Sequence, residues 1–130
     1  MKKKSILAVD DERTSLEFIK SILGSDTVDI ITAKDGKEGF VKAKENQPDL
    51  IILDVQMPKQ DGFVTFWELR KNDATKNIPV IMLTGIRQTL GARFSKEKVG
   101  DLVGEEPDYY VEKPIDPEKL QDIVMKVFKA

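Results

Sequence analysis

Five short apolar runs recur along the chain, and each is separated from the next by a segment of different periodicity. They are "SILAV" (5–9), "VDIITA" (28–33), "DLIILD" (49–54), "IPVIML" (78–83) and "DYYVE" (108–112). Runs this short, bounded by charges or turn residues, read as strands. The intervening segments carry helical spacing. Leu16, Ile19, Ile22 and Leu23 form a stripe that stops at Gly24, a residue suited to a helix C-terminus. Asp35 with Glu38 forms a capping box for a second helix with Phe40 and Ala43 inward. A third helix starts after Asp61 and uses Phe63, Phe66 and Leu69, with Trp67 beside that stripe and partly exposed. Asp116 as N-cap and Pro117 at the first helical position open a last helix carrying Leu120, Ile123, Val124, Val127 and Phe128. Strand–helix alternation throughout predicts an α/β fold, a doubly wound parallel sheet with helices on both faces. In such folds functional groups gather beyond the carboxyl ends of the strands.

The third run raises a problem. Leu50 to Leu53 are four consecutive apolar residues, as expected of a strand covered on both faces, and the next residue is the carboxylate Asp54. An ionised carboxylate without partners is costly to bury, so either Asp54 emerges at the strand end or a cation meets it. Composition restricts what chemistry it can do. The chain has no cysteine and no histidine, which removes disulfides, zinc sites, thiol nucleophiles and imidazole acid–base catalysis. At 130 residues there is room for one domain, 1–130, with a core of its own. With 21 basic against 23 acidic residues, the chain lacks the basic footprint of a nucleic-acid binder; "MKKK" reads as a solvated lead-in to the first strand. Neither a signal segment nor a membrane span is evident, so a cytoplasmic location is expected.

The strand ends collect a distinctive set. Asp10, Asp11 and Glu12 follow the first strand, Asp54 ends the third, Thr84 and Gly85 follow the fourth, and Lys113-Pro114 follow the fifth. Clustered carboxylates repel by about 4 kcal/mol per close pair at an intermediate effective dielectric, unless a cation relieves them. A hard divalent ion is the natural remedy. Magnesium fits best because it uses one or two carboxylates, keeps several waters and accepts phosphate oxygens; calcium would want a loop of alternating oxygen ligands. Lys113 then supplies a point charge, Thr84 a hydroxyl and Gly85 an amide for an oxyanion, expected to be a phosphoryl group. With no histidine or cysteine, Asp54 itself is the expected nucleophile, forming an aspartyl phosphate.

Read in order, "AVDDE" (8–12), "LDVQMPKQDG" (53–62), "MLTG" (82–85) and "VEKPIDP" (111–117) resemble the successive signatures of response-regulator receiver domains in two-component signalling, over essentially the whole chain. The resemblance implies a five-stranded flavodoxin-like (βα)5 sheet with strand order 2-1-3-4-5. It implies that Asp54 is the phosphoacceptor, loaded from the phosphohistidine of a sensor histidine kinase or phosphotransfer protein. Asp11, Asp54 and the backbone carbonyl of Gln56 would ligate magnesium, with Asp10 helping through water. Lys113 would pair with the acceptor carboxylate or a phosphoryl oxygen, Thr84 would swing toward the phosphate, and Tyr110 would be the aromatic switch whose rotamer follows Thr84. The Lys113–Pro114 bond would be cis, aiming the lysine at the site.

The stretch from Thr84 to Lys113 is several residues longer than is usual in the family, and Gly91, Gly100, Gly104 and Pro107 interrupt its helical periodicity. The helix expected there, and the output face it would share with the last strand and last helix, are therefore unassigned. No output domain follows Ala130, so the expectation is a stand-alone, chemotaxis-type receiver. It would be a switch for an unidentified downstream protein, and no enzyme beyond its own phosphorylation and dephosphorylation. Singly, Asp10 and Asp11 could cap the first helix, Lys113 could be a solvated charge, Thr84 and Tyr110 could be ordinary strand residues, and "MPKQDG" reads as a turn. A degenerate receiver acting as a docking scaffold would lack part of the acid–threonine–lysine set. An FMN binder would carry a hydroxyl- and glycine-rich loop where this chain has "DDER", and a dehalogenase-type phosphatase would have a second aspartate where Gln56 stands.

Overall fold

A computed structural model describes residues 3–55, 62–85 and 107–129. Its elements alternate as the apolar runs require: β1 (Lys4–Val9), α1 (Arg13–Leu23), β2 (Val28–Ala33), α2 (Gly36–Asn46), β3 (Leu50–Asp54), α3 (Gly62–Lys71), β4 (Val80–Gly85), β5 (Tyr109–Lys113) and α4 (Pro117–Lys129). The strands form one parallel sheet in the order β2-β1-β3-β4-β5. This doubly wound arrangement reverses direction between β1 and β3, the crevice where such folds hold their ligands.

Strand alternation divides the core into two layers. Leu7, Val9, Ile51, Leu53, Val80 and Met82 face α2 and α3, where Ala43, Phe66 and Leu69 cover them. Ile6, Ala8, Leu50, Ile52, Ile81, Leu83 and Val111 face α1 and α4, against Ile19, Leu23, Leu120, Ile123 and Val124. All five residues of β3 are buried, so this strand is covered on both faces as its composition demands.

The helix ends follow local rules, with some differences from the sequence reading. Asp35 Oδ1 accepts from the Glu38 amide at 2.9 Å, while Glu38 Oε1 accepts from the Lys34 amide at 3.0 Å. The box is reciprocal, but it closes one residue before the N-cap. Asp116 Oδ1 accepts from the Glu118 and Lys119 amides at the start of α4. Gly24 does end α1, but with φ −68°: the glycine is needed for contact, since a Cβ there would lie 2.7 Å from the Lys20 carbonyl oxygen. The left-handed C-cap belongs instead to Gln47, at φ 48°.

Two strands open on the same dipeptide. Pro48-Asp49 precedes β3, where the Asp49 amide donates to the Ser5 carbonyl at 2.8 Å and Asp49 Oδ2 accepts from the Ser5 amide at 2.8 Å. Pro107-Asp108 precedes β5 and treats Val80 in the same way, at 3.0 and 2.8 Å. In each case the aspartate side chain continues the ladder past the strand end and fixes one strand against its neighbour.

Gly62, the first residue of α3, sits directly over the end of β3. Its amide donates to the Val55 carbonyl at 2.7 Å, and a Cβ would collide with the Asp54 carbonyl oxygen and lie 2.7 Å from the Val55 α-carbon. Both obstacles are backbone, so the strain cannot be relieved by a rotamer change. Gly62→Ala is therefore expected to cost about 1–3 kcal/mol, measured by urea unfolding; a variant as stable as the parent would show that α3 can lift away from β3 freely.

Candidate functional site

At the carboxyl rim of the sheet, β1 delivers Asp10 and Asp11, β3 delivers Asp54, and β5 delivers Lys113. Lys113 Nζ lies 3.1 Å from Asp54 Oδ1 and 3.2 Å from Asp10 Oδ2. The Lys113–Pro114 peptide bond is cis. Asp10 is fully buried and Asp54 is 3% exposed. Asp10 uses both oxygens, since Oδ1 accepts from the Glu12 amide at 2.9 Å. Glu12 is the N-cap of α1 and makes no side-chain cap bond, and the Asp10 carboxylate is committed to this turn and to Lys113.

Asp10, Asp11 and Asp54 each offer a carboxylate oxygen, all within 4.8 Å of one another. Ligands around a six-coordinate ion with bonds near 2.1 Å stand about 3 Å apart when adjacent and about 4 Å apart when opposite. A small adjustment of Asp11 and Asp54, with Asp10 behind them, thus suits magnesium, and the donor set, all oxygen and all anionic, suits its hardness. Asp11, which is exposed, has the freedom to make that adjustment.

The electrostatics are unbalanced in the direction a cation would correct. Asp54 is pushed up from 3.8 to about 6, first by burial and then by the Asp10 charge, with Lys113 pulling the other way and Asp11 adding a smaller upward push. For Lys113, burial is the largest single influence and lowers its affinity for a proton, but the charges of Asp54 and Asp10 outweigh it and the ammonium is held above its ordinary range. One lysine shared by two buried carboxylates leaves net negative charge.

Thr84 is buried at the end of β4. The register sets Leu83 opposite Asp54, so alternation turns Thr84 toward the α2–α3 layer, where Tyr110 also packs. Asp10, Asp54 and Lys113 share the other parity. Gly85 closes β4, paired with Lys113. Gln56 and most of the long stretch before Pro107 lie outside the described residues. Asp10 as a direct partner of Lys113, and the Glu12 amide behind it, were not read from the sequence; the acidic pair "DD" was the only signal available.

With this geometry in view, sequence comparison is decisive: the family model described as "Response regulator receiver domain" matches residues 6–125. The chain belongs to the response-regulator receiver family. Receivers act in two-component signalling. This one is 33% identical over 129 residues to "Probable transcriptional regulator ycf27" of Porphyridium aerugineum, covering 99% of this chain and 50% of that protein. It is 34% identical over 115 residues to "Protein PilG" of Pseudomonas aeruginosa, covering 88% of this chain and 80% of that one. The crystallised chemotaxis protein CheY4 of Vibrio cholerae superimposes with a TM-score of 0.79 at 31% identity, covering 96% of this receiver and 98% of that chain. The chain thus spans about half the length of the transcriptional regulator it matches. Among the described residues no helix is long and apolar enough to cross a membrane.

The raised pKa of Asp54 has a consequence for stability. Below about pH 4 both folded and unfolded chains hold the proton; between 3.8 and about 6 the folded receiver holds it and the unfolded chain does not. The unfolded state binds fewer protons there, so stability falls as pH rises through that window. Above pH 7 the penalty reaches about 3 kcal/mol, from 1.36 kcal/mol per pKa unit. Asp54→Asn is expected to be more stable than the parent by up to about that amount at pH 7.5 and no more stable below pH 4. Chemical denaturation across the pH range checks this, and a gap that does not depend on pH would contradict it.

Proposed function

We propose that this receiver is a phosphorylation-controlled switch whose phosphoacceptor is Asp54. The observation that carries the reading is the bridging position of Lys113, within 3.2 Å of both Asp54 and Asp10 at the rim where three carboxylates converge. An Asp54 carboxylate oxygen forms the new oxygen–phosphorus bond as the phosphorus–nitrogen bond of a partner's phosphohistidine breaks, and the electron pair leaves on the imidazole nitrogen. Asp54 needs no general base because it reacts as the anion, which predominates above its value of about 6. Asp11, Asp54 and the Gln56 carbonyl, with Asp10 behind them, would hold a magnesium ion, which would supply charge neutralisation for the carboxylates and the incoming phosphoryl oxygens. Lys113 exchanges its contact with Asp54 for one with a phosphoryl oxygen and keeps its contact with Asp10.

Thr84 lies at the same rim and supplies a hydroxyl to the phosphoryl group on turning toward it. Tyr110, packed in the same layer, follows that movement, and the altered β4–β5 surface is what a downstream protein reads. The phosphoryl donor is a sensor histidine kinase or a phosphotransfer protein in the cytoplasm. Beside Lys113, a notch lined by Thr14, Ser15, Phe18, Pro114 and Ile115 offers apolar surface to that donor. The receiver catalyses its own phosphorylation and dephosphorylation and turns over no separate substrate. Its downstream partner is a protein, with no nucleic-acid contact required of this domain.

Incubation with magnesium and acetyl phosphate, followed by intact mass measurement, is expected to give one phosphoryl adduct. The adduct is lost in Asp54→Asn or on chelation of the metal, and forms about 100-fold more slowly in Lys113→Met. No adduct on the parent chain, or an undiminished one on Asp54→Asn, would defeat the reading.

A further inference from the structure

Lys113 does its work only if β5 is held in the correct register against β4, and little in the sequence specifies that register. β4 and β5 run parallel, so no hairpin turn sets the pairing. Hydrophobic patterning is a weak guide as well. β5 is an edge strand in which Val111 is the one fully buried residue. A slip that preserved the strand's faces would move it by two residues, about 6.6 Å. That would remove Lys113 from its 3.1 Å contact with Asp54.

The restraint sits at the opposite end of the strands. Arg70, in the last turn of α3, has a side chain only 7% exposed and lies over the Phe66 ring, 4.7 Å from its centroid. Its Nη1 donates to the Ile78 carbonyl at 2.7 Å and to the Lys76 carbonyl at 3.3 Å, while Nη2 donates to Asp108 Oδ2 at 3.2 Å. That same Asp108 oxygen accepts from the Val80 amide at 2.8 Å. One planar guanidinium therefore joins α3, the approach to β4 and the approach to β5. A lysine could make one of these bonds but could not span them.

The geometry points to Arg70 and Asp108 as positioning residues for the phosphoryl site: they lock β5 to β4 at the strand starts and so hold Lys113 opposite Asp54 at the strand ends. This rests on the phosphoacceptor reading given above. The ion pair itself is partly exposed, with the Asp108 side chain 43% accessible, and surface pairs add little stability; its effect is on alignment. The three carboxylates come from β1, its following turn and β3, none of them from β5, so loosening β5 affects the phosphoryl contact and spares the metal ligands.

The test compares the whole chain with Arg70→Met, Arg70→Lys, Asp108→Ala, Lys113→Met and the double variant Arg70→Met/Lys113→Met. Acetyl phosphate labelling in saturating magnesium and magnesium affinity are measured under conditions where circular dichroism shows each protein folded. Arg70→Met and Asp108→Ala are expected to slow labelling about tenfold while magnesium affinity changes by less than about twofold. Arg70→Lys recovers part of the rate, and the double variant is no slower than Lys113→Met alone. Should Arg70→Met not fold, the exposed change Asp108→Ala carries the comparison. Labelling of both variants at the parent rate would overturn the inference. So would a double variant whose defects multiply in full, or magnesium affinity falling in step with rate, which would indicate general loosening. A parent chain that takes no label is a different result: it removes the phosphoacceptor reading, and this inference with it.

Discussion

A carboxylate buried at the end of a doubly covered strand is the constraint to which the rest of this molecule answers. Fully burying a leucine or isoleucine contributes roughly 1.5–3 kcal/mol, so Leu50 to Leu53, all at 0% exposure, outweigh the penalty of about 3 kcal/mol for ionising Asp54 beside them. Hydrophobic burial therefore places the acid and holds it there. Asp10, 0% exposed on the neighbouring strand, adds repulsion that Lys113 only partly relieves. A site left electron-rich in this way favours a divalent cation and, once that charge is supplied, an incoming phosphoryl group.

The sheet separates two tasks by parity. Asp10, Asp54 and Lys113 stand on the parity that faces α1 and α4, the set proposed to hold and receive the phosphoryl group. Thr84 and Tyr110 stand on the other, in the layer covered by α2 and α3. On the proposed reading, a movement of Thr84 toward the phosphoryl group would cross from one layer to the other and so turn a local change of charge into a change of surface. The alignment that makes such a movement possible is set far from the rim, by the strand-opening aspartates and by Arg70.

Much of this was legible in the sequence because short apolar runs and helical stripes report burial directly. The five strands, the two-sided cover of β3, the strand order implied by the family and the caps at Asp35 and Asp116 are all present. So is the proximity of Asp10, Asp11, Asp54 and Lys113. What escaped depends on contacts between residues far apart in the chain. Pro48-Asp49 and Pro107-Asp108 look like ordinary turn dipeptides, and only the neighbouring strands reveal them as register devices. Arg70 looks like a basic residue in a last helical turn until Ile78 and Asp108 are brought to it. The left-handed cap fell to Gln47, where no glycine advertised it, and spacing alone gave no sign of the direct Asp10–Lys113 bond. The Gln56 carbonyl and the long segment before Pro107 lie outside the described residues.

The balance of charge at Asp54 can be observed directly through its carboxyl carbon, titrated by NMR with and without magnesium. A midpoint at about 6 in the absence of the ion, falling by a unit or more when it is added, about 1.4 kcal/mol of preferential binding to the anion, is the predicted result. A midpoint in the ordinary range near 4, or one indifferent to magnesium, would contradict the account.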